Sequence, residues 1–267
     1  MNPRQVDLDS YLGQPSSVEP YVRFLLNSVA APVIFDIGAC EGEDSIRYSR
    51  LFPRARVLAV EALPTNQDIL RANFAKYGVS AELVPVALSD RRGTAVFHVS
   101  AGRPPELFSG ECWNYGNKSS SLLAPATAEP MHGWISFPER ITVQCETLVD
   151  VCAEHGVSRV DFIHMDVQGA EGLVLDGAKP MLLKVRAIWL EVSNQPLYQG
   201  QTLRADIEKM LQRQGFAVAY EESRGVEGDQ LYVNRRFLRN RLWLASRHLR
   251  RFCSRLGRPF RPKTALK

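Results

Sequence analysis

Four carboxylates stand where this sequence could do chemistry: Asp36, Glu61, Asp166 and Glu191. Each lies at or near the end of a short apolar run that reads as a buried strand. Asp36 is followed by Gly38, Ala39, Cys40, Glu41 and Gly42. Glycines there let the backbone turn sharply and come close to a ligand. Asp44 to Leu51 then reads as a helix whose positive N-terminus faces back onto the same loop. Strand, glycine loop and helix together make the nucleotide pocket of an open α/β sheet.

Spacing decides which nucleotide. A dinucleotide fingerprint needs glycines at positions 38, 40 and 43, where this chain has Gly38, Cys40 and Glu43. Glu41 and Glu43 would also repel a pyrophosphate. The pattern therefore argues against a nicotinamide oxidoreductase, the alternative enzyme. The alternative outside enzymology is a degenerate binding module that keeps the fold without the chemistry. A loop rich in carboxylates suits a ligand with positive charge and no phosphate, and S-adenosylmethionine is one. Glu61, followed by Ala62, ends the second strand where an acidic ribose ligand belongs and can accept both ribose hydroxyls. After the third strand, Ala81 to Ala87, the turn carries Ser89 and Asp90, which can bond the adenine edge or serve as a plain surface turn.

The elements that must position these groups follow in order. Residues 1–30 read as a loose lead-in and an amphipathic helix beginning near Ser17. Residues 31–234 alternate strand and helix and end in an antiparallel pair, which predicts a mostly parallel, doubly wound sheet. Between the strands at Thr94 to Ser100 and Ile141 to Cys145, residues of about 100–140 are rich in Gly, Pro, Ser and aromatics. So long an insertion suggests a lid over the acceptor, with Lys118 to Ser121 as its polar contact. Asp166-Val167-Gln168-Gly169-Ala170-Glu171 follows the fourth strand. In such a sheet the first and fourth strands flank the switch point, so Asp36 and Asp166 are expected on opposite lips of one crevice.

Asp36-Ile-Gly-Ala, Glu61, Ala87-Leu88-Ser89-Asp90, Thr147-Leu148, Asp166 to Glu171 and Gly177-Ala178 together resemble the FkbM family of S-adenosylmethionine-dependent methyltransferases. The resemblance covers roughly residues 31 to 222. It implies a Rossmann-like seven-stranded methyltransferase sheet and O-methylation of a hydroxyl on a sugar, glycan or other small natural product. His164 and Gln168 stand where the commoner family pattern has Lys and Glu, which leaves the charge of the acceptor pocket open. Methyl transfer to oxygen needs collinear reacting atoms and a group to take the proton. Asp166 is the first candidate base, acting directly or by orienting His164 or a water. Glu171 either assists or caps the helix it begins, and Glu191 either contacts the acceptor or closes the rim. A divalent metal between Asp166 and Glu191 is disfavoured, because no third oxygen ligand is evident.

Composition bounds the rest. Twelve of the 33 basic residues fall in 235–267, which contains no acid. The remainder holds 21 basic and 29 acidic residues, a net of −8. In the tail Leu238, Leu242, Ala245, Leu249, Phe252 and Leu256 recur at helical spacing among arginines. That pattern suits a cationic amphipathic helix on an anionic membrane, or one docked on its own domain or on a second copy. The acidic body disfavours nucleic acid. Five cysteines form no Cys-x-x-Cys pair, which suits free thiols in a reducing compartment and makes zinc improbable. Met1 to Gln14 lacks an apolar signal core, and no apolar run approaches the roughly 20 residues that span a bilayer. The expected place is the cytoplasm, with peripheral attachment at the inner face of a membrane through residues 235–267.

Overall fold

Six short segments of three to eight residues supply the parallel strands, and their order places the site. In a computed structural model that describes residues 8–102, 115–126, 133–223 and 225–238, the chain begins with α1 (Leu8–Gly13) and α2 (Glu19–Leu26). It continues through β1 (Val33–Ile37), α3 (Glu43–Leu51), β2 (Arg56–Val60), α4 (Pro64–Tyr77) and β3 (Glu82–Val84). A short β4 (Ala87–Leu88) leads to β5 (Gly93–Ala101), a 3₁₀ turn at Tyr115–Ser119, and β6 (Ser136–Glu146). Then come α5 (Leu148–Glu154), β7 (Phe162–Met165), α6 (Glu171–Leu182), β8 (Ala187–Ser193) and α7 (Arg204–Arg213). The chain closes with β9 (Phe216–Ser223), β10 (Glu227–Asn234) and α8 (Arg235–Leu238).

Seven strands form one Rossmann-like sheet in the order β3-β2-β1-β7-β8-β10-β9, parallel except for β10, which runs antiparallel to both of its neighbours. Chain order reverses between β1 and β7, so the ligand crevice lies beyond the carboxyl ends of these two strands. Strand alternation sorts the core into two faces. Phe35 and Ile37 pack with Leu148, Val174, Leu175 and Leu211 from α5, α6 and α7. Ile34, Val57 and Phe162 face the other way, against Val22, Leu26 and Tyr48 from α2 and α3.

Three local expectations change. The third strand of the main sheet stops at Val84 rather than Ala87, because Pro85 ends its pairing. Ala87 and Leu88 instead join a separate three-stranded sheet, β4-β6-β5, beside Cys145 and Glu146. Its inner face, with Phe97, Val143 and Cys145, covers Ala87 and Leu63 and so roofs the crevice. The lead-in is also less loose than expected. Leu8 is buried in α1 with Ile46 and Phe74, and Arg47 donates to the Tyr11 and Gln14 carbonyls at 2.9 and 2.6 Å. Most of the basic tail, with its apolar stripe beyond Leu238, lies outside the described residues, as do Phe108, Cys112, Trp113 and Cys253.

Candidate active site

The glycine loop forms because β1 and β2 end together. Gly38 and Ala39 donate to the Val60 carbonyl at 2.9 and 3.0 Å, which draws the loop towards Glu61. Gly38 has φ +82, and a Cβ there would stand 1.9 Å from the Asp166 carbonyl oxygen. Only glycine lets the two strand tips approach this closely. Gly42, at φ +85, starts α3 and lies against Leu70 and Phe74, where a side chain would collide. Asn73, on α4, donates to the Glu41 carbonyl at 2.8 Å from a buried position and so clamps the same loop.

Beyond these tips lies a cleft of about 530 Å³. One wall is apolar: Ile37, Val60, Ala62, Val86, Ala87, Leu88, Phe97 and Leu122. Gly38, Cys40, Glu61, Asn66, Asn117, Lys118, Ser120, Asp166 and Gln168 supply the rest of its character. Both Glu61 oxygens are anchored, Oε2 by the Cys40 N–H and Oε1 by the Leu63 N–H, each at 2.8 Å. Burial pushes Glu61 up to about 7 against those two N–H groups, which favour the charged form. Each oxygen keeps a further lone pair for hydroxyl donors, the requirement for a ribose ligand.

The insertion closes over the loop from above. Asn117 Nδ2 donates to Asn66 Oδ1 at 3.1 Å and to Glu41 Oε1 at 3.3 Å. Lys118 pairs with Glu43, and although burial opposes its charge, Glu43 raises it well above the usual lysine range. Asn117 is 8% exposed, and its Oδ1 has no hydrogen-bond partner among the described residues. Residues 121–126 are pinned at both sides. Ser121 bridges to His98 in β5, and Ala126 and Gln199 bond across to Leu197 and Ala124.

Of the expected cofactor residues, Gly38, Glu61, Ala62 and Ala87 line the cleft, and of the expected catalytic residues Asp166 does. Asp36 does not, and the expectation that it shares a lip of the crevice is corrected. It occupies the face opposite Phe35 and Ile37, is 4% exposed, and accepts from Ser45 Oγ at 2.6 Å. Burial pushes it up to about 7, with His164 acting in the opposite sense. Ala39 is packed in the core with Ile46, and Gly42 shapes the loop from behind. Ser89 and Asp90 turn towards each other and the small sheet, with Ser89 N–H on the Glu146 carbonyl at 2.9 Å. Val86 and Leu88 line the cleft where those polar groups were expected.

The remaining candidates divide by face. His164 is the register partner of Asp36, so alternation puts it on the same buried side. Its Nδ1 lies 3.1 Å from Tyr48 Oη and 3.8 Å from Asp44. Burial opposes its charge, and Asp44 and Asp36 outweigh that and raise it. Glu171 accepts the Val167 and Gly169 N–H groups at 3.2 and 3.3 Å, which holds the turn ahead of α6. Burial raises Glu171 to about 7. Glu191, in β8, is not among the cleft-lining residues but accepts from Gln168 Nε2 at 3.4 Å, and burial, with Asp166 close by, pushes it well above the usual carboxylate range.

Sequence reasoning missed Asn66, Asn117 and Tyr198, and it named Gln168 only as a departure from the commoner family pattern. Gln168 Nε2 donates to Asp166 Oδ1 at 2.6 Å and to Glu191 Oε2 at 3.4 Å. Tyr198 Oη reaches Gln168 Oε1 at 3.1 Å and the Ser119 carbonyl at 2.9 Å. Tyr198 follows β8, and a loop at the carboxyl end of the strand beside β7 was the signal that could have found it. Asn117 carried no such signal.

The donor set fits S-adenosylmethionine. It offers an apolar wall for a purine, a two-oxygen acceptor for a ribose, a glycine cradle, and carboxylates near a positive charge. Among the described residues no group of three or more His, Cys, Asp or Glu could hold a metal, and no helix is long and apolar enough to cross a membrane.

A family model described as the methyltransferase FkbM domain matches residues 36–218. The 2-O-methyltransferase NoeI of Sinorhizobium fredii is 37% identical over 204 residues, covering 76% of this chain and 79% of that protein. The 31-O-demethyl-FK506 methyltransferase FkbM of Streptomyces tacrolimicus is 24% identical over 225 residues, covering 79% and 83%. Among solved structures, TrmK of M. capricolum with S-adenosyl-homocysteine has a TM-score of 0.45 at 10% identity, over 82% of this chain and 69% of that one.

Proposed function

Because the chain belongs to the FkbM methyltransferase family, we propose that it methylates a hydroxyl oxygen of a sugar, a glycan or another small natural product. The enzyme is an S-adenosylmethionine-dependent methyltransferase, and this sets aside the nicotinamide oxidoreductase and the non-catalytic module. The single observation that carries the acceptor assignment is the likeness to a 2-O-methyltransferase across three quarters of the chain. A carboxylate, Asp166, lines the same cleft as the ribose-type acceptor Glu61.

When bound, the cofactor supplies an electrophilic methyl group on a sulfonium. Glu61 would hold the ribose hydroxyls, Val86, Ala87, Leu88 and Phe97 would flank the purine, and Gly38 would let the backbone close in. The acceptor oxygen forms the new O–CH₃ bond as the S–CH₃ bond breaks. Asp166, directly or through a water it orients, would take the hydroxyl proton, and the electron pair of the broken S–CH₃ bond would stay on sulfur as the demethylated product. Asp166 is suited to that role by its place at the strand tip and by its exposure to the cleft. The part of the insertion carrying Asn117, Lys118 and Ser120 excludes water from above. Glu171 serves the turn, and His164 the buried network, in this scheme. Glu191 is assigned to the acceptor rim. No step draws on a divalent metal, since the Gln168 amide lies between Asp166 and Glu191, where a bridging cation would sit.

The test is to incubate the full chain with methyl-labelled S-adenosylmethionine and a panel of methyl glycosides and small polyols. Label in an O-methyl ether is the expected product. Label recovered only on nitrogen or carbon acceptors from the same panel with amines added would overturn the oxygen assignment. A thermal-shift comparison with S-adenosylhomocysteine and NADH should raise the midpoint with the first alone.

For residues 235–267 the proposal is attachment to an anionic membrane. The chain leaves β10 at Asn234, beside the start of β8, and so departs at the end of the sheet opposite the cleft. Arg186 stacks over Phe237 at 5.0 Å and fixes that departure. With Cys40, Cys145 and Cys152 as free thiols, the proposed place is the cytoplasmic side. Co-sedimentation with anionic liposomes should be lost in a 1–234 truncation. Equal recovery excludes the membrane, and a concentration-dependent mass change would favour self-association.

A further inference from the structure

We infer that Gln168 is the positioning residue of this site: its side-chain amide keeps Asp166 and Glu191 together at the cleft and ties both to the insertion. The inference rests on the role proposed for Asp166.

Gln168 has φ +52, a left-handed conformation that a residue with a Cβ adopts only when its surroundings impose it. Those surroundings are specific. Its carbonyl accepts from Ser121 Oγ at 2.7 Å, and its Oε1 accepts from Tyr198 Oη at 3.1 Å. With the amide oxygen directed to a phenol, Nε2 must face the other way, towards Asp166 Oδ1 at 2.6 Å and Glu191 Oε2 at 3.4 Å. Phe137 packs edge-on against the Tyr198 ring at 6.2 Å, and Gly169 leaves room for that ring, since a Cβ there would stand 2.8 Å from it.

The charges around Asp166 explain why a neutral donor is needed. Its charge is felt by His164 of β7, Glu171 of α6 and Glu191 of β8, with Glu227 and Asp229 of β10 also acting on Glu191. Tyr198 stands opposite, and Lys118 of the insertion lines the same cleft. Two carboxylates side by side repel, and an amide N–H shared between them offsets that repulsion. Glutamate at this position would instead add a third carboxylate and reverse the sign of the contact. Gln168 therefore does two things at once: it aims Asp166, and it makes that aim depend on the insertion being in place.

The experiment uses the full chain as parent, Gln168→Met, Gln168→Glu and Tyr198→Phe. The Glu191 carboxyl ¹³C resonance is followed against pH and is identified by its loss in Glu191→Gln. In Gln168→Met Glu191 should titrate higher than in the parent, and in Gln168→Glu higher still. Tyr198→Phe, the mildest change, should move it the same way by less, and it stands in if Gln168→Met does not fold. Unmoved titration in all three variants, with a lowered melting temperature, would overturn the inference and leave Gln168 a structural residue. If instead Asp166→Asn methylates the glycoside panel at the parental rate, the role proposed for Asp166 is what fails, whatever the titrations show.

Discussion

Asp36 and Asp166 leave adjacent parallel strands, and the Asp166 N–H donates to the Ile37 carbonyl at 2.9 Å. They are the same residue type at neighbouring tips, yet their surroundings differ in kind. Asp36 sits in a closed network with Ser45, Asp44, His164 and Tyr48, shut off from the cleft by its own strand. Asp166 lies just past the end of β7 and faces the cleft, steadied by an amide from its own turn. Position within the strand or just past its end, and not the identity of the side chain, separates a carboxylate held in the interior from one that lines the cleft. A carboxylate inside must find donors or take up a proton, whereas one at the rim keeps lone pairs for chemistry.

Substitutions at the two tips and their supports break this comparison in order of size. Asp166→Asn should lower methyl transfer by about 10²- to 10⁴-fold, with S-adenosylhomocysteine binding retained by calorimetry. Parental turnover would erase the functional half of the contrast. Gly38→Ala should cost several kcal/mol, because its Cβ meets the Asp166 carbonyl and its φ is positive, and the melting temperature should drop accordingly. An unchanged melting temperature would show that the two tips are not held as close as the structure has them. Glu61→Gln should weaken the cofactor roughly ten- to a hundredfold, the loss of a charge-assisted pair of contacts, and leave kcat less affected.

Asp36→Asn should give the smallest change in turnover and a distinct pH signature. Burial raises the folded-state value of Asp36 to about 7 from an ordinary 3.8, so the folded state binds more protons than the unfolded one. Stability is then highest below about pH 4 for this group and is lost as pH rises to about 7. His164, also raised, acts in the same sense. The parent's melting temperature should fall across this window and the variant's should fall less steeply. A parent profile that rises through the window would contradict the buried assignment.

Much of the fold was legible because it is written in local pattern. Val33 to Ile37, Arg56 to Val60 and the pair at the chain's end carry strand chemistry, and Gly78 ends α4 in a left-handed cap as its type suggests. Gly38 and Glu61 were legible in the site for the same reason, since each belongs to a short motif of fixed spacing. Ser89 and Asp90 misled because a polar turn after a strand looks alike whether it faces a ligand or a second sheet. β4 joins β6, more than 50 residues away, and nothing near Ala87 encodes that pairing. The contacts among Asn117, Asn66 and Glu41 span 51 and 76 residues and were equally invisible.

From its sequence alone this protein declares a strand, a glycine loop and an acidic strand end in the order that a methyl-donor pocket requires. Steric freedom at Gly38 and the spacing to Glu61 are properties of neighbouring residues, which is why they can be read without coordinates. Packing decided the rest: which face Asp36 took, that the insertion returned over the glycine loop, and that Gln168 came to lie between two carboxylates. Each of those outcomes joins atoms from distant parts of the chain, and only the folded arrangement of sheet and insertion brings them within hydrogen-bonding distance.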